Sequence, residues 1–230
     1  YIAMRMTGEI ATTVPGLSEG VVWDFQENKV SDDIFSYFGF DKELIPDICP
    51  TFGVQGELLG TVAAELGLKK GIQVTYRAGD QSNNALSLNV LNPGEVAATA
   101  GTSGVVYGVN DKLNFDVLSR VNTFAHVNHT KEQPRLGTLL CINGVGILNS
   151  WIKKTIAPEG VNYEQLNRLA ESVPIGSEGI SILPFGNGAE RMFENKQVEC
   201  AIFGINFNMH GKAHLARAAQ EGVVFSFKYG

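Results

Sequence analysis

Long apolar runs are missing from the 230 residues. None approaches the ~18 that a membrane-spanning helix requires, so no membrane partner is expected. Cysteine is scarce: Cys49, Cys141 and Cys200 stand far apart. An odd, scattered set reads as reduced thiols of a cytoplasmic protein rather than a disulfide framework. No pair has zinc spacing, and no metal-ligating residue is assigned. Basic residues are in deficit, 18 Lys and Arg against 24 Asp and Glu, for a net charge of −6. That argues against nucleic acid or an acidic surface as partner. Charged residues are only 18% and apolar ones 44%, so disorder is excluded as the general state. Internal repeats and low-complexity tracts are also absent, and no N-terminal targeting segment is visible in these residues. The chain opens at Tyr1 rather than Met and stops straight after a helical pattern, so both ends read as cut from a longer protein.

Glycine, by contrast, is abundant: 26 residues, about 11% against a usual ~7%. Many tight turns or close backbone approaches suit small-ligand binding. The acidic excess is uneven. Residues 1–79 carry 6 basic and 11 acidic side chains, and residues 80–230 carry 12 and 13. The second part is the better candidate for handling an anion, and a boundary is expected near Gly79.

Helix and strand patterns alternate, which predicts an α/β fold with mixed sheets. Ser31-Asp32-Asp33 caps a helix closed by Gly39. Helices are also expected over Leu58–Leu66, Gly146–Thr155, Tyr163–Ser172 and Ala213–Tyr229. Strands are expected over Val21–Phe25, Ile72–Arg77, Glu95–Ala100, Val105–Val109, Val121–His126, Leu136–Cys141 and Ile180–Leu183. Gly16–Gly20 reads as a loop. The polar run Ala78–Asn84 reads as the cap of a helix at Ala85–Leu88.

Several places could carry chemistry. Asp80 stands after a glycine just past a strand end, where α/β folds collect ligands. Its carboxylate could take a proton from a substrate hydroxyl, or merely cap the next helix. Gly101-Thr102-Ser103-Gly104 joins two apolar strands. Its amides and hydroxyls could hold a phosphate, or it could be an ordinary hairpin. Walker and dinucleotide-binding glycine patterns do not occur. Gly144 and Gly146 open a helix, a contact point for an anion or a packing feature. His126, His129, His210 and His214 read as surface or capping residues, since neither pair has the H-E-x-x-H pattern. No serine has a nucleophile elbow. Glu190-Arg191 is either a surface ion pair or part of a loop facing a ligand.

Taken in order, these segments resemble the FGGY carbohydrate kinases. The likeness rests on Ala78-Gly79-Asp80-Gln81, Asn92-Pro93-Gly94-Glu95 and Gly101-Thr102-Ser103-Gly104. It continues through Leu183-Pro184-Phe185, Gly188-Ala189-Glu190-Arg191 and the segment Cys200–Glu221. The first residues, through Arg5-Met6-Thr7-Gly8-Glu9, are most similar to the branch that phosphorylates D-xylulose; the alternatives are a gluconokinase- or glycerol-kinase-type member, or a non-catalytic actin-like nucleotide-binding protein. The resemblance implies an actin-like, ribonuclease-H-like fold with parts of two domains and a cleft between them. Residues 1–78 would be the end of a sugar-binding domain, and 79–230 the front of a nucleotide-binding domain. It also implies ATP, Mg²⁺ and a small sugar as ligands, and leaves a homodimer open. Asp80 would be the general base and, with Gln81, contact the sugar. Gly101, Thr102, Ser103, Gly104 and Gly146 would contact the nucleotide. The family's D-x-G-T-[ST] phosphate hairpin and Gly-Gly-Gly adenosine loop do not occur in these residues. The resemblance therefore implies an internal piece that is inactive alone.

Overall fold

Local capping accounts for much of the chain's layout. In the computed structural model, which describes residues 1–157 and 159–230, helix α1 (Ile2–Thr7) ends at Gly8 in the left-handed region. Strand β1 (Ala11–Thr12) leads into helix α2 (Val14–Glu19). That helix replaces the loop expected over Gly16–Gly20. The Thr13 hydroxyl accepts the Gly16 amide at 3.3 Å, and a proline sits in the first turn. Both are helix-starting signals that outweigh the two glycines. The strand expected over Val21–Phe25 shrinks to β2 (Trp23–Asp24), which pairs antiparallel with β3 (Lys29–Val30). Helix α3 (Asp32–Phe38) has Ser31 as N-cap and Gly39 as left-handed C-cap, as its sequence predicts.

Strand β4 (Asp47–Ile48) runs parallel to β1. Strand β5 (Phe52–Glu57) has no counterpart in the sequence reading, because its glycines break the alternation. Helix α4 (Gly60–Leu66) ends at left-handed Gly67, and β6 (Gln73–Tyr76) pairs antiparallel with β5. Helix α5 (Asp80–Ser87) begins five residues before the expected Ala85. The polar run forms the helix rather than its cap.

Strands β7 (Val96–Ala100), β8 (Gly104–Asn110), β9 (Asn122–Ala125) and β10 (Leu136–Ile142) form one sheet in the order β7-β8-β10-β9. Helix α6 (Gly146–Ile156) follows, then α7 (Tyr163–Glu171), whose Asn162 and Gln165 exchange the two bonds of a capping box. Strand β11 (Ser181–Leu183) pairs antiparallel with β12 (Ala201–Phe203), and the chain closes on α8 (Lys212–Tyr229).

Packing divides the chain into two compact units. The first comprises residues 1–97, 107–115 and 123–138, and the second residues 98–106, 116–122 and 139–230. Leu17, Phe35, Leu58, Ala85, Tyr107, Ala125 and Leu136 are buried in the first. In the second, Leu148, Ile152, Leu166, Ile180, Ile182 and Ala216, Ala218 and Ala219 of α8 belong to one core. Small residues let α8 lie close on β11: a Cβ at Gly222 would strike the Ile182 carbonyl. No helix among the described residues is long and apolar enough to cross a membrane.

Candidate active site

In the first unit, β6 delivers the chain to Gly79 and α5 opens on Asp80. Asp80 is therefore the first helical residue, and its carboxylate is exposed. A carboxylate there is favoured by the helix dipole. Gln81 is half-buried one residue on. The Tyr76 hydroxyl donates to the Asn83 side chain, tying the end of β6 to the first turn of α5. Gly79 itself supplies no side-chain cap.

A residue missed by sequence reasoning stands beside this turn. Glu19, the last residue of α2, places its carboxylate where a Cβ on Gly79 would be. Burial pushes the Glu19 carboxyl above the usual carboxylate range, and the negative charge of Asp80 adds to this. The Asp80 N–H opposes both, through a contact short of full hydrogen-bond geometry. Nothing in the local sequence of Glu19 signals this placement, because it depends on where β6 returns.

In the second unit, Gly101, Thr102, Ser103, Gly104 and Gly146 come together. The Gly146 amide donates to the Gly101 carbonyl at 2.9 Å, and the Ile147 amide to the Thr102 carbonyl at 3.3 Å. The first N–H groups of α6 are thus used by the loop itself. Gly146 must lack a side chain, since a Cβ would meet the Gly101 carbonyl. Gly104 is buried, against Phe227 and Val145, whereas Gly101 and Thr102 are exposed. The Ser103 hydroxyl donates to Asn143 Oδ1 at 3.1 Å, and Asn143 Nδ2 donates to Glu190 Oε1 at 3.1 Å.

Glu190 and Arg191 therefore do not pair with each other as a surface ion pair would. Arg191 donates instead to Asn122 Oδ1 at 2.6 Å. Thr102, Ser103, Asn143, Gly144, Ile147 and Asn187 line a hollow of about 270 Å³. Gly144, Ile147 and Asn187 also border a second hollow of about 340 Å³, completed by Leu148, Trp151, Pro184, Gly186 and Cys200. The first hollow is bordered by the hydroxyl and amide side chains of Thr102, Ser103, Asn143 and Asn187 and the second mainly by apolar groups, a layout suited to a ligand with a charged and a flat end. Asn187 and Trp151 were not singled out beforehand, because their exposure depends on tertiary packing.

The histidines divide. His210 Nδ1 accepts the Asn206 amide at 2.9 Å, and His214 Nδ1 accepts the Gly211 amide at 3.1 Å, both capping contacts. His129 Nδ1 likewise accepts the Arg135 amide at 3.2 Å. His126 departs from the surface expectation: it is fully buried, with Nδ1 at 3.1 Å from the Tyr107 hydroxyl. Among the described residues, no three His, Cys, Asp or Glu side chains cluster as a metal site. These residues alone do not make a cage for Mg²⁺, which usually binds through one or two carboxylates together with substrate phosphates.

Comparison with known proteins adds the following. Residues 1–87 match the N-terminal domain of the FGGY family of carbohydrate kinases. Over 228 residues the chain is 28% identical to the xylulose kinase of Bacillus subtilis, covering 98% of this chain and 44% of that enzyme. It is 25% identical over 217 residues to the gluconokinase of the same organism, covering 90% of this chain and 40% of that protein. The crystal structure of xylulose kinase from Rhodospirillum rubrum superposes with a TM-score of 0.87 at 26% identity. That match covers 100% of this chain and 45% of the other. The chain thus spans less than half the length of these relatives. Its fold is that of the FGGY sugar kinases, within the actin-like ATPase class.

Proposed function

We propose that the protein containing this chain, whose residues 1–87 match the N-terminal domain of the FGGY family of carbohydrate kinases, transfers the γ-phosphoryl group of ATP to a hydroxyl of a small sugar. The observation that carries the reading is Asp80, an exposed carboxylate at the start of α5, next to a glycine and just past a strand end. D-xylulose is the favoured acceptor and D-xylulose 5-phosphate the product, because the chain is similar to xylulose kinases over nearly its whole length. The 25% identity to a gluconokinase supports a sugar acid as the second acceptor to test.

In this mechanism Asp80 accepts the proton of the sugar hydroxyl while that oxygen attacks the γ-phosphorus. The bond to the bridging oxygen breaks and ADP leaves. Phosphoryl transfer needs mainly positioning and charge stabilisation, together with a group to take the nucleophile's proton. Gln81 contacts the sugar. The Thr102 amide and hydroxyl and the Ser103 amide would face the phosphates, while Gly101, whose amide donates to the Ser103 carbonyl, shapes the turn with Gly104 and Gly146. The hollow bordered by Ser103, Asn143 and Asn187 and the apolar one beside Trp151 suit the phosphates and the base. Mg²⁺ would shield the phosphate charge, held chiefly by the nucleotide. Residues 1–78 are assigned to the sugar-binding domain and 79–230 to the nucleotide-binding domain, and the reaction to the cytoplasm. A homodimer is the assembly to test by light scattering.

The deciding experiment is Asp80→Asn in the full-length protein. ATP binding should persist while kcat falls by about 10²–10⁴-fold, the usual share of a general base. An unchanged rate would reject Asp80 as the base. Turnover compared on xylulose, gluconate and glycerol tests the acceptor. Xylulose turnover well below either of the others would overturn that choice.

A further inference from the structure

Glu19 is oddly placed for a surface glutamate. It ends helix α2, where the helix dipole disfavours a negative charge. Its Oε1 is buried and has no hydrogen-bond partner. Something other than local stability must account for its position. Across from it, α5 starts with Gly79 as an N-cap that offers no side-chain acceptor. The Glu19 carboxylate fills the space that the side chain of residue 79 would occupy. It thus meets the positive end of α5 from another element, at the residue assigned as base.

Gly79 has φ −77° and ψ 173°, a conformation open to alanine. Backbone strain therefore does not require glycine there. The obstacle to a side chain is the Glu19 carboxylate. Besides Asp80, the charge of Glu19 is felt by the buried Tyr107 hydroxyl, which burial and then Glu19 hold strongly protonated.

We infer that Glu19 is a positioning residue for Asp80: seated where Gly79 lacks a side chain, it holds the first turn of α5 so that the Asp80 carboxylate is presented in one orientation. The inference rests on the reading of Asp80 as general base. It assigns to Glu19 no contact with substrate. A misplacement of about 1 Å at a reacting group costs as much as ~10²-fold in rate, which is the scale such a support can control.

The test is a double-mutant cycle on the full-length kinase, with ATP binding measured by titration to show that each variant is folded. Glu19→Ala should lower kcat roughly 10- to 100-fold, with the KM for ATP within about twofold of the parent. Glu19→Gln keeps the size and an acceptor oxygen, and should recover most of that loss. Gly79→Ala should displace the flexible Glu19 side chain and lower kcat as Glu19→Ala does. In the Glu19→Ala background, Gly79→Ala should add no further loss, because the group it displaces is gone. The inference is overturned if Gly79→Ala costs the same with and without Glu19. It is also overturned if Glu19→Ala keeps the parent kcat, or if Glu19→Gln is as slow as Glu19→Ala. Should Asp80→Asn be inactive while Glu19→Ala is normal, Glu19 alone loses its role. Should Asp80→Asn keep full rate, the base assignment fails and this inference with it.

Discussion

At His126 a ring that titrates near neutrality is enclosed completely, with Tyr107 on one nitrogen. The other nitrogen, Nε2, lies near the Val90 backbone without a hydrogen bond of normal geometry. Burial therefore holds the His126 proton affinity below its ordinary value, with Val90 opposing, and burial does the same at His129. The sign follows from linkage. A folded-state pKa lowered below the unfolded one means that the unfolded chain takes up protons first as pH falls. Stability from these residues is complete above the unfolded histidine value of about 6.5 and is lost below it. Denaturant unfolding should show a falling unfolding free energy between pH 7.5 and 5.5, and His126→Asn should reduce that slope. An unchanged slope in the variant would show that His126 is not responsible. At this scale Asp80 was legible, because a glycine and a strand end announce it locally. Glu19 and the burial of His126 were not, because each depends on a neighbour brought from a distant part of the chain.

Among the elements, α6 depends most directly on a single missing side chain. The Gly146 amide and the Gly101 carbonyl meet at 2.9 Å, and a Cβ on Gly146 would collide with that carbonyl. The obstacle is backbone, which cannot swing aside as a side chain does. Gly146→Ala should therefore push the 101–104 turn away from α6 and destabilise the protein by about 1–3 kcal/mol, the usual cost of overpacking. The KM for ATP should rise alongside, as measured in the full-length protein, if the turn contacts the nucleotide. A variant with parent stability and parent KM would refute the coupling. Elements with strong local caps were readable in advance, α3 from Ser31 and Gly39, α7 from Asn162. Strand β5 was not, since its glycines hide the alternation and its identity comes from pairing with β6. Helix α2 was misread for the opposite reason, its glycines suggesting a loop where Thr13 and Pro15 start a helix.

For the whole molecule, the two packing units and the lengths of the relatives bear on activity. The chain covers 44% of the Bacillus subtilis xylulose kinase and 45% of the Rhodospirillum rubrum enzyme. Expressed alone, the 230-residue chain should show no sugar-dependent ATP turnover in a coupled ADP assay. Robust turnover would show that these residues hold a complete phosphate site. What the sequence determined by itself was the α/β class, the capped helices, the kinase resemblance and the identity of the candidate base. These are local or compositional properties, carried by residues within a few positions of each other. The tertiary structure alone decided that Glu19 faces Gly79, that Gly101 joins Gly146, that Asn143 links Ser103 to Glu190, and that His126 is enclosed. The physical reason is the same in each case. Close packing and buried polar contacts depend on where distant segments return, and no local periodicity encodes that meeting.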